Sequence, residues 1–300
     1  MGTRVNLETF ISTTLANVQK STANMSRLQE QISTGKRVNR ASDDPAAARK
    51  ILSLRSEDLS LDQYASNIQT ATQALDYSAS SLQSTSDILQ RITELTMQGV
   101  SSSTDQSGRT IMANEINQLL ETIMQSANSK RLGRYTFAGT KTTTEPFVTT
   151  RDNSGKISAV TYQGNREVIE YNVGPNTNSV VNLTGDEVFM SSNLFQSIIR
   201  ARDNLESGAI SFAQNELDNL DNAQQTILNS IAKAGGISGT LQLTANRIAD
   251  TKLSLQEVMA SAESADIAEL VLKLTEQQSI FEASLSSGSY IFKTSILNYL

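Results

Sequence analysis

Apolar residues recur along most of this chain at the three- and four-residue steps that keep them on one helix face. Ile11, Leu15, Val18, Met25 and Ile32 form a first stripe, widened by Leu28, with Thr22 and Gln29 as polar interruptions. A helix with one such stripe exposes it to water unless a partner covers it. The second run is stricter: Leu54, Leu61, Ile68, Leu75, Leu82 and Leu89 recur every seven residues without a miss. A seven-residue repeat held this long predicts close, nearly parallel helix packing with a left-handed sense. If the helix runs from Pro45 to Met97, it is ~80 Å long at ~1.5 Å per residue. A shorter helix follows residues 101–108, carries Met112, Ile116, Leu119, Ile123 and Ala127, and ends near 132–135. Helix resumes at Ser192 and runs to an expected break at Gly235-Gly236. The last segment carries Leu241, Ile248 and Leu255, shifts phase at 263–266, and continues through Leu270, Leu274, Phe281, Leu285, Phe292 and Leu297.

Between the first two stripes, residues 32–48 read ISTGKRVNRASDDPAAA. Gly35 suits the left-handed residue that ends a helix, and Lys36 and Arg37 complement its negative end. Asp44 precedes Pro45, which keeps Asp44 out of helical geometry and makes it an N-cap. Pro45 then takes the first helical position, where no N–H is missed. The stretch predicts a stop, a turn and a new start, so Gly35, Asp44 and Pro45 mark an elbow between two helical domains.

Residues 134–190 change character, holding six of the fifteen aromatic residues and two of the three prolines. Gly164-Asn165 suits a two-residue hairpin turn, which would place Val160 and Tyr162 on one face with Ile169, Tyr171 and Val173. The expected fold is therefore mainly α. A long antiparallel helical rod or coiled-coil bundle is built from the N- and C-terminal segments, with a small β-rich domain inserted in the middle. The expected divisions are 1–44 with 257–300 as a terminal helical domain, 45–133 with 191–256 as the rod, and 134–190 as the β insert.

Composition narrows the chemistry. The 300 residues carry a net charge of −6 and include no His, Cys or Trp. Without His there is no Ser-His-Asp triad and no imidazole ligand; without Cys there is no disulfide, thiol catalyst or thiolate metal site. Residues 33–36 read STGK, but Glu30 stands where a phosphate-binding loop needs its first Gly, and Arg37 follows the Lys. Asp43-Asp44 lacks the spaced oxygen ligands of a calcium loop, so capping is the expected role. No catalytic, cofactor or metal residue is assigned, and the chain is not expected to be an enzyme. No basic cluster suits nucleic acid, and no apolar run approaches a membrane span. Residues 1–44 are net +2 and residues 257–300 net −4, which favours pairing of the two ends.

Three motifs at the start, middle and end of the chain resemble the flagellin superfamily: ISTGKRVNRASDDPAAA, GRYTFAGTKTTTEPF (133–147) and SSGSYIFKTSILNYL (286–300). The middle one is similar to the hook-associated branch rather than to flagellin itself. That resemblance implies a structural role at the hook–filament junction of a bacterial flagellum, a filament subunit being the alternative. It also implies export through the flagellar type III apparatus, hence an extracellular location, and an export chaperone beforehand. The first hook-associated protein, flagellin and further copies in a ring are the implied partners. Ile11, Leu15, Val18, Met25, Leu28, Ile32, Leu274, Phe281, Leu285, Phe292 and Leu297 are then the expected assembly surface, the apolar strips that neighbouring copies bury.

Overall fold

The structure, a computed structural model, describes residues 2–297, with side chains described for Thr9 and from Ile11 to Ser289. Helices among them are α1 (Gly2–Thr34), α2 (Pro45–Gly99), α3 (Gln106–Ala127), α4 (Leu194–Ser207), α5 (Ile210–Glu263) and α6 (Ile267–Leu297). Six short strands, β1 (Lys130–Arg131), β2 (Arg134–Tyr135), β3 (Phe147–Arg151), β4 (Ile157–Tyr162), β5 (Glu170–Gly174) and β6 (Thr177–Val180), lie between α3 and α4. The fold is mainly α with a small β-rich insert, as expected. The chain forms two compact units, residues 61–250 and residues 1–60 with 251–300.

In the 61–250 unit, α2 and α5 run antiparallel. Gln224 Nε2 donates to Ser86 Oγ at 2.6 Å and Ser238 Oγ to Asp76 Oδ1 at 3.2 Å. The predicted heptad of α2 is the buried seam: Leu61, Ile68, Leu75, Leu82 and Leu89 are all buried. Helix α5 answers with Ala213, Leu220, Ile227, Ala234, Leu241 and Ile248, again seven apart and all buried. The expected break at Gly235-Gly236 does not occur, and α5 passes straight through. Neither glycine has a positive φ, and the heptad on both sides keeps its phase, so seam burial outweighs the ~1 kcal/mol each glycine costs in a helix. Buried hydroxyls on α2 are satisfied within the helix: Ser78, Thr85 and Thr96 each donate to the carbonyl four residues earlier, at 2.8–3.0 Å.

Helix α3 runs back along α2, joined by Arg91–Glu115 at 2.9 Å and by Ser81 Oγ to the Ser126 carbonyl at 3.2 Å. It starts three residues earlier than the sequence suggests, because Asp105 is its N-cap and accepts from Gly108 N at 2.8 Å. Its buried face is Ala113, Ile116, Leu120, Ile123, Met124 and Ala127, not Met112 and Leu119. It ends at Ala127, and residues 130–135 form the β1–β2 hairpin instead. Helix α4 packs antiparallel to α3 and buries Arg202, whose guanidinium is held by Asp203 at 2.7 Å and by Asn117 at 2.7 Å.

The insert is built around rings. Phe137, Phe147, Phe189 and Phe195 pack with centroids 5.3–5.7 Å apart, and Tyr162 joins at 5.1 Å from Phe147. Phe189 comes from a single π turn, Asp186–Met190. The side chain of Asn128 pins this cluster to the end of α3, accepting from Phe147 N at 3.0 Å and donating to Phe147 O at 2.8 Å.

Gly164-Asn165 is not a hairpin turn. The β3–β4 hairpin turns at 152–156, where Asp152 Oδ1 accepts from Ser154 N and Lys156 N and Gly155 has φ +80, and the β5–β6 hairpin turns at Pro175-Asn176, where Asn176 has φ +55. Strands β4 and β5 therefore lie in different sheets, and the expected common face of Val160, Tyr162, Ile169, Tyr171 and Val173 does not form. Asn165 has a stronger local use. Its Oδ1 accepts from Thr140 N at 2.8 Å and its N donates to Ala138 O at 3.2 Å, strapping the insert to the FAGT segment. Gly139, at φ +66, packs directly under Asn165, so any side chain there would collide with it.

Candidate assembly surface

The unit made of residues 1–60 and 251–300 has a simpler build. Helices α1 and α6 pair antiparallel: Gln277 Nε2 donates to Ser21 Oγ at 2.7 Å, and Gly288 lies beside Thr14. Their shared seam steps through Ile11, Thr14, Val18, Ser21, Met25 and Leu28 on α1, and through Leu270, Leu274, Gln277, Phe281 and Ser284 on α6. The buried polar side chains of α1 are Ser21 and Gln31, whereas Thr22 and Gln29 are exposed. The sequence reading placed the interruptions one position around the helix, because Leu15 drew the stripe that way.

The expected surface residues divide accordingly. Leu28 is buried; Ile11, Val18, Met25, Ile32, Leu274 and Phe281 are half-buried in the α1–α6 seam. Leu15 remains 57% exposed and Leu285 49%. The side chains of Phe292 and Leu297 lie outside the described ones. Sequence reasoning missed Val271, Leu272 and Ile280, which are exposed on α6. Their signal was present: residues 267–281 place apolar side chains on more than one face, and two helices can cover only one.

Both helices are tied to their neighbours at the elbow. Gly35 ends α1 with φ +68. Arg37 N donates to the Glu263 carbonyl at 2.7 Å and Ala265 N to the Gly35 carbonyl at 3.0 Å, so the α1–α2 and α5–α6 turns are stitched by a minimal antiparallel bridge. The Glu263 carboxylate closes it, pairing with Lys36 and with Arg55, each at 2.6 Å. Lys36–Glu263 is a cross-pair of the kind the opposite charges of the two ends suggested. Asp44 caps α2 through Oδ1, which accepts from Ala46 N at 3.1 Å and Ala47 N at 3.0 Å, while its Oδ2 meets Arg37 at 3.0 Å. Asp43 accepts from Asn39 N and Arg40 N, and Asp266 caps α6 in the same manner as Asp44 caps α2. Both members of the Asp43-Asp44 pair are therefore committed to backbone donors.

The hydrogen bonds from Lys36 and then Arg55 hold the Glu263 carboxyl below its usual range. A depressed folded value contributes stability that is present above the unfolded value, ~4.3, and fades as pH falls through the folded one. Glu263→Gln should therefore flatten the acid limb of elbow stability below ~4.3, read by amide exchange at Arg37 and Ala265. An unchanged acid limb in the variant would show that this carboxylate is not responsible. Asp44→Ala should speed exchange at Ala46, Ala47 and Ala48 while leaving α3 unaffected. Protection unchanged at all three amides would remove the cap from the account.

Known proteins resemble this chain over part of its length. Residues 5–142 match the bacterial flagellin N-terminal helical region. The flagellar hook-associated protein 3 of Escherichia coli K12 is 30% identical over 189 residues, 63% of this chain and 57% of that protein. This chain is similar to members of the flagellin superfamily. The match to the Escherichia coli relative spans just over half of that protein's length. A flagellar filament core protein of Treponema maltophilum is 24% identical over 258 residues, 86% of this chain and 85% of that one. Among solved structures, the hook-associated protein-3 of Legionella pneumophila superposes with a TM-score of 0.62 at 16% identity, covering 70% of this chain and 99% of that one. The last likeness is one of fold.

The FAGT segment sits where its residue types are needed: Phe137 and Ala138 are fully buried and Gly139 lies under Asn165. The glycosylation-like triplet Asn182-Leu183-Thr184 is buried, with Asn182 Oδ1 accepting from Ile169 N at 2.7 Å. Among the described residues no cluster of acidic side chains suits a metal ion, and no helix is long and apolar enough to cross a membrane.

Proposed function

We propose that this chain is a member of the flagellin superfamily and a structural junction protein of the bacterial flagellum, joining the first hook-associated protein on the hook side to flagellin on the filament side. Its work is mechanical, with no catalytic step and with neither nucleic acid nor membrane as a partner. The observation that carries the reading is the terminal pair: α1 and α6 cover one seam and leave Leu15, Val271, Leu272, Ile280 and Leu285 exposed, in a chain related to hook-associated protein 3. A two-helix unit cannot bury a second apolar face by itself. Neighbouring copies in a ring would cover it, through head-to-tail contacts.

In this reading residues 1–44 with 257–300 form the assembly domain, 45–133 with 191–256 the rod, and 134–190 the outer insert, with Gly35, Asp44 and Pro45 at the elbow. The chain leaves the cell unfolded through the flagellar export apparatus, its carboxyl-terminal helix held beforehand by a chaperone. The test is deletion of the gene: intact hooks with flagellin secreted into the medium but not polymerised are expected. Full hooks bearing no secreted flagellin, or normal filaments, would refute it. The length of the Treponema match favours one second reading, a filament subunit, and finding the chain along the whole filament by immunolabelling would establish that instead.

A further inference from the structure

The β1–β2 hairpin turns through Leu132 and Gly133, with Lys130 paired to Tyr135 and Arg131 to Arg134. Both turn residues have positive φ, +50 and +77, the combination that a two-residue I′ turn requires. Asn or Gly suits that first position, whereas a leucine is strained there because its Cβ crowds the following carbonyl. Leu132 is also 88% exposed, more than any other large apolar side chain among the described residues. Arg131 and Arg134 stand directly opposite each other, and like charges so placed destabilise a strand pair. Strain, apolar exposure and charge repulsion thus fall together on one short hairpin. The fold nevertheless holds it firmly. Tyr77 Oη donates to Lys130 O at 3.1 Å, Arg131 to Gln73 Oε1 at 3.2 Å, and Thr136 N to Ser129 O at 3.1 Å. Local costs of this kind gather where a surface has work to do.

The charge around the hairpin is of one sign. From Thr122 to Thr144 the chain carries four basic residues, Lys130, Arg131, Arg134 and Lys141, and no acidic one, within a molecule of net −6. Tyr135 N donates to Thr142 O at 2.8 Å, which brings the segment carrying Lys141 beside β2. Among the described residues none of the four cations is in an ion pair; Lys130 lies over the Tyr135 ring, 4.4 Å from its centroid. The carboxylates that border the stretch are engaged elsewhere: Glu121 with Arg151, Glu145 with Asn128, and Glu167 with Thr140.

We propose that this basic hairpin is a docking surface for an acidic polypeptide segment whose apolar side chains close over Leu132. The unpaired cations select the sign of the partner, since a patch of one charge attracts its opposite. Leu132 selects the class. A phosphate or sugar polymer has no apolar side chains to take an exposed leucine out of water, and a polypeptide does. The surface belongs to the 61–250 unit, and the proposal stands independently of the junction reading.

The test uses the full-length chain and a fluorescent random copolymer of glutamate and tyrosine, with polyglutamate and heparin as the alternatives. The copolymer should bind about tenfold more tightly than polyglutamate, because only it can cover Leu132, and binding should weaken as salt rises. Leu132→Asn relieves the turn and removes the apolar tip. Arg134→Glu replaces the like-charge pair with an opposite one. Each variant should keep or raise the Tm of the free chain and weaken copolymer binding by about tenfold. A merely structural role would not separate the two readouts in that way. Equal binding of polyglutamate, unchanged binding in either variant, or tighter binding of heparin would overturn the proposal. So would self-association without the polymer that Leu132→Asn abolishes, since the occupant would then be a second copy.

Discussion

Leu285→Asp should leave the free chain folded and abolish its attachment to the flagellum. Leu285 is 49% exposed on α6, and a substitution at such a position changes stability by ~0.5 kcal/mol or less. Far-ultraviolet circular dichroism should therefore superimpose on that of the unaltered chain. In an assembled contact the same side chain would enter an apolar environment, where an unpaired carboxylate costs several kcal/mol. Loss of attachment with an intact fold is the signature of an assembly surface. Ile11→Asp is the companion: it lies half-buried in the α1–α6 seam, so it should loosen that pair as well as block assembly. Normal motility with both variants would remove the terminal helices from the mechanism.

Phe147→Ala should produce the largest loss of stability. Phe147 is 1% exposed and touches three other rings, those of Tyr162, Phe189 and Phe195. Deleting a buried phenylalanine side chain typically costs 3–5 kcal/mol, about 10 °C in Tm for a unit of this size. The damage should be local in kind. Near-ultraviolet signals from Tyr162 should collapse first, and protection should fall at Gln163 N and Gly185 N, which are hydrogen-bonded in the insert. A loss under ~1 kcal/mol would mean the cluster relaxes to fill the hole, and the ring packing would then contribute little.

The helical plan was legible because periodicity is written directly into the residues. The α2 seam, the Gly35 stop and the Asp44–Pro45 start each rest on a local rule that tertiary packing did not override. The misreadings share a different cause. At Gly235-Gly236 a local propensity met a seam of Ala234, Leu241 and Ile248 on both flanks, and the seam prevailed. At Gly164-Asn165 the same two residues satisfy either a turn or a side-chain strap. Only the position of Thr140, distant in sequence, decides between them. The turns that formed, at Asp152–Lys156 and Pro175-Asn176, carried turn chemistry of their own. The elbow was half visible. Its α1–α2 side follows from capping rules, but Glu263 and Arg55 become its clasp only through a pairing 208 residues apart. The exposed Val271, Leu272 and Ile280 show the converse limit, since hydropathy does not tell which of two apolar faces a single partner will take.

The five clustered rings all come from residues 137–195, one uninterrupted stretch, whereas Ser86 and Gln224 meet across 138 residues. Closing a short span loses less chain entropy than closing a long one, and local contacts form sooner. The insert can thus gain its shape early, before α2 and α5 find each other.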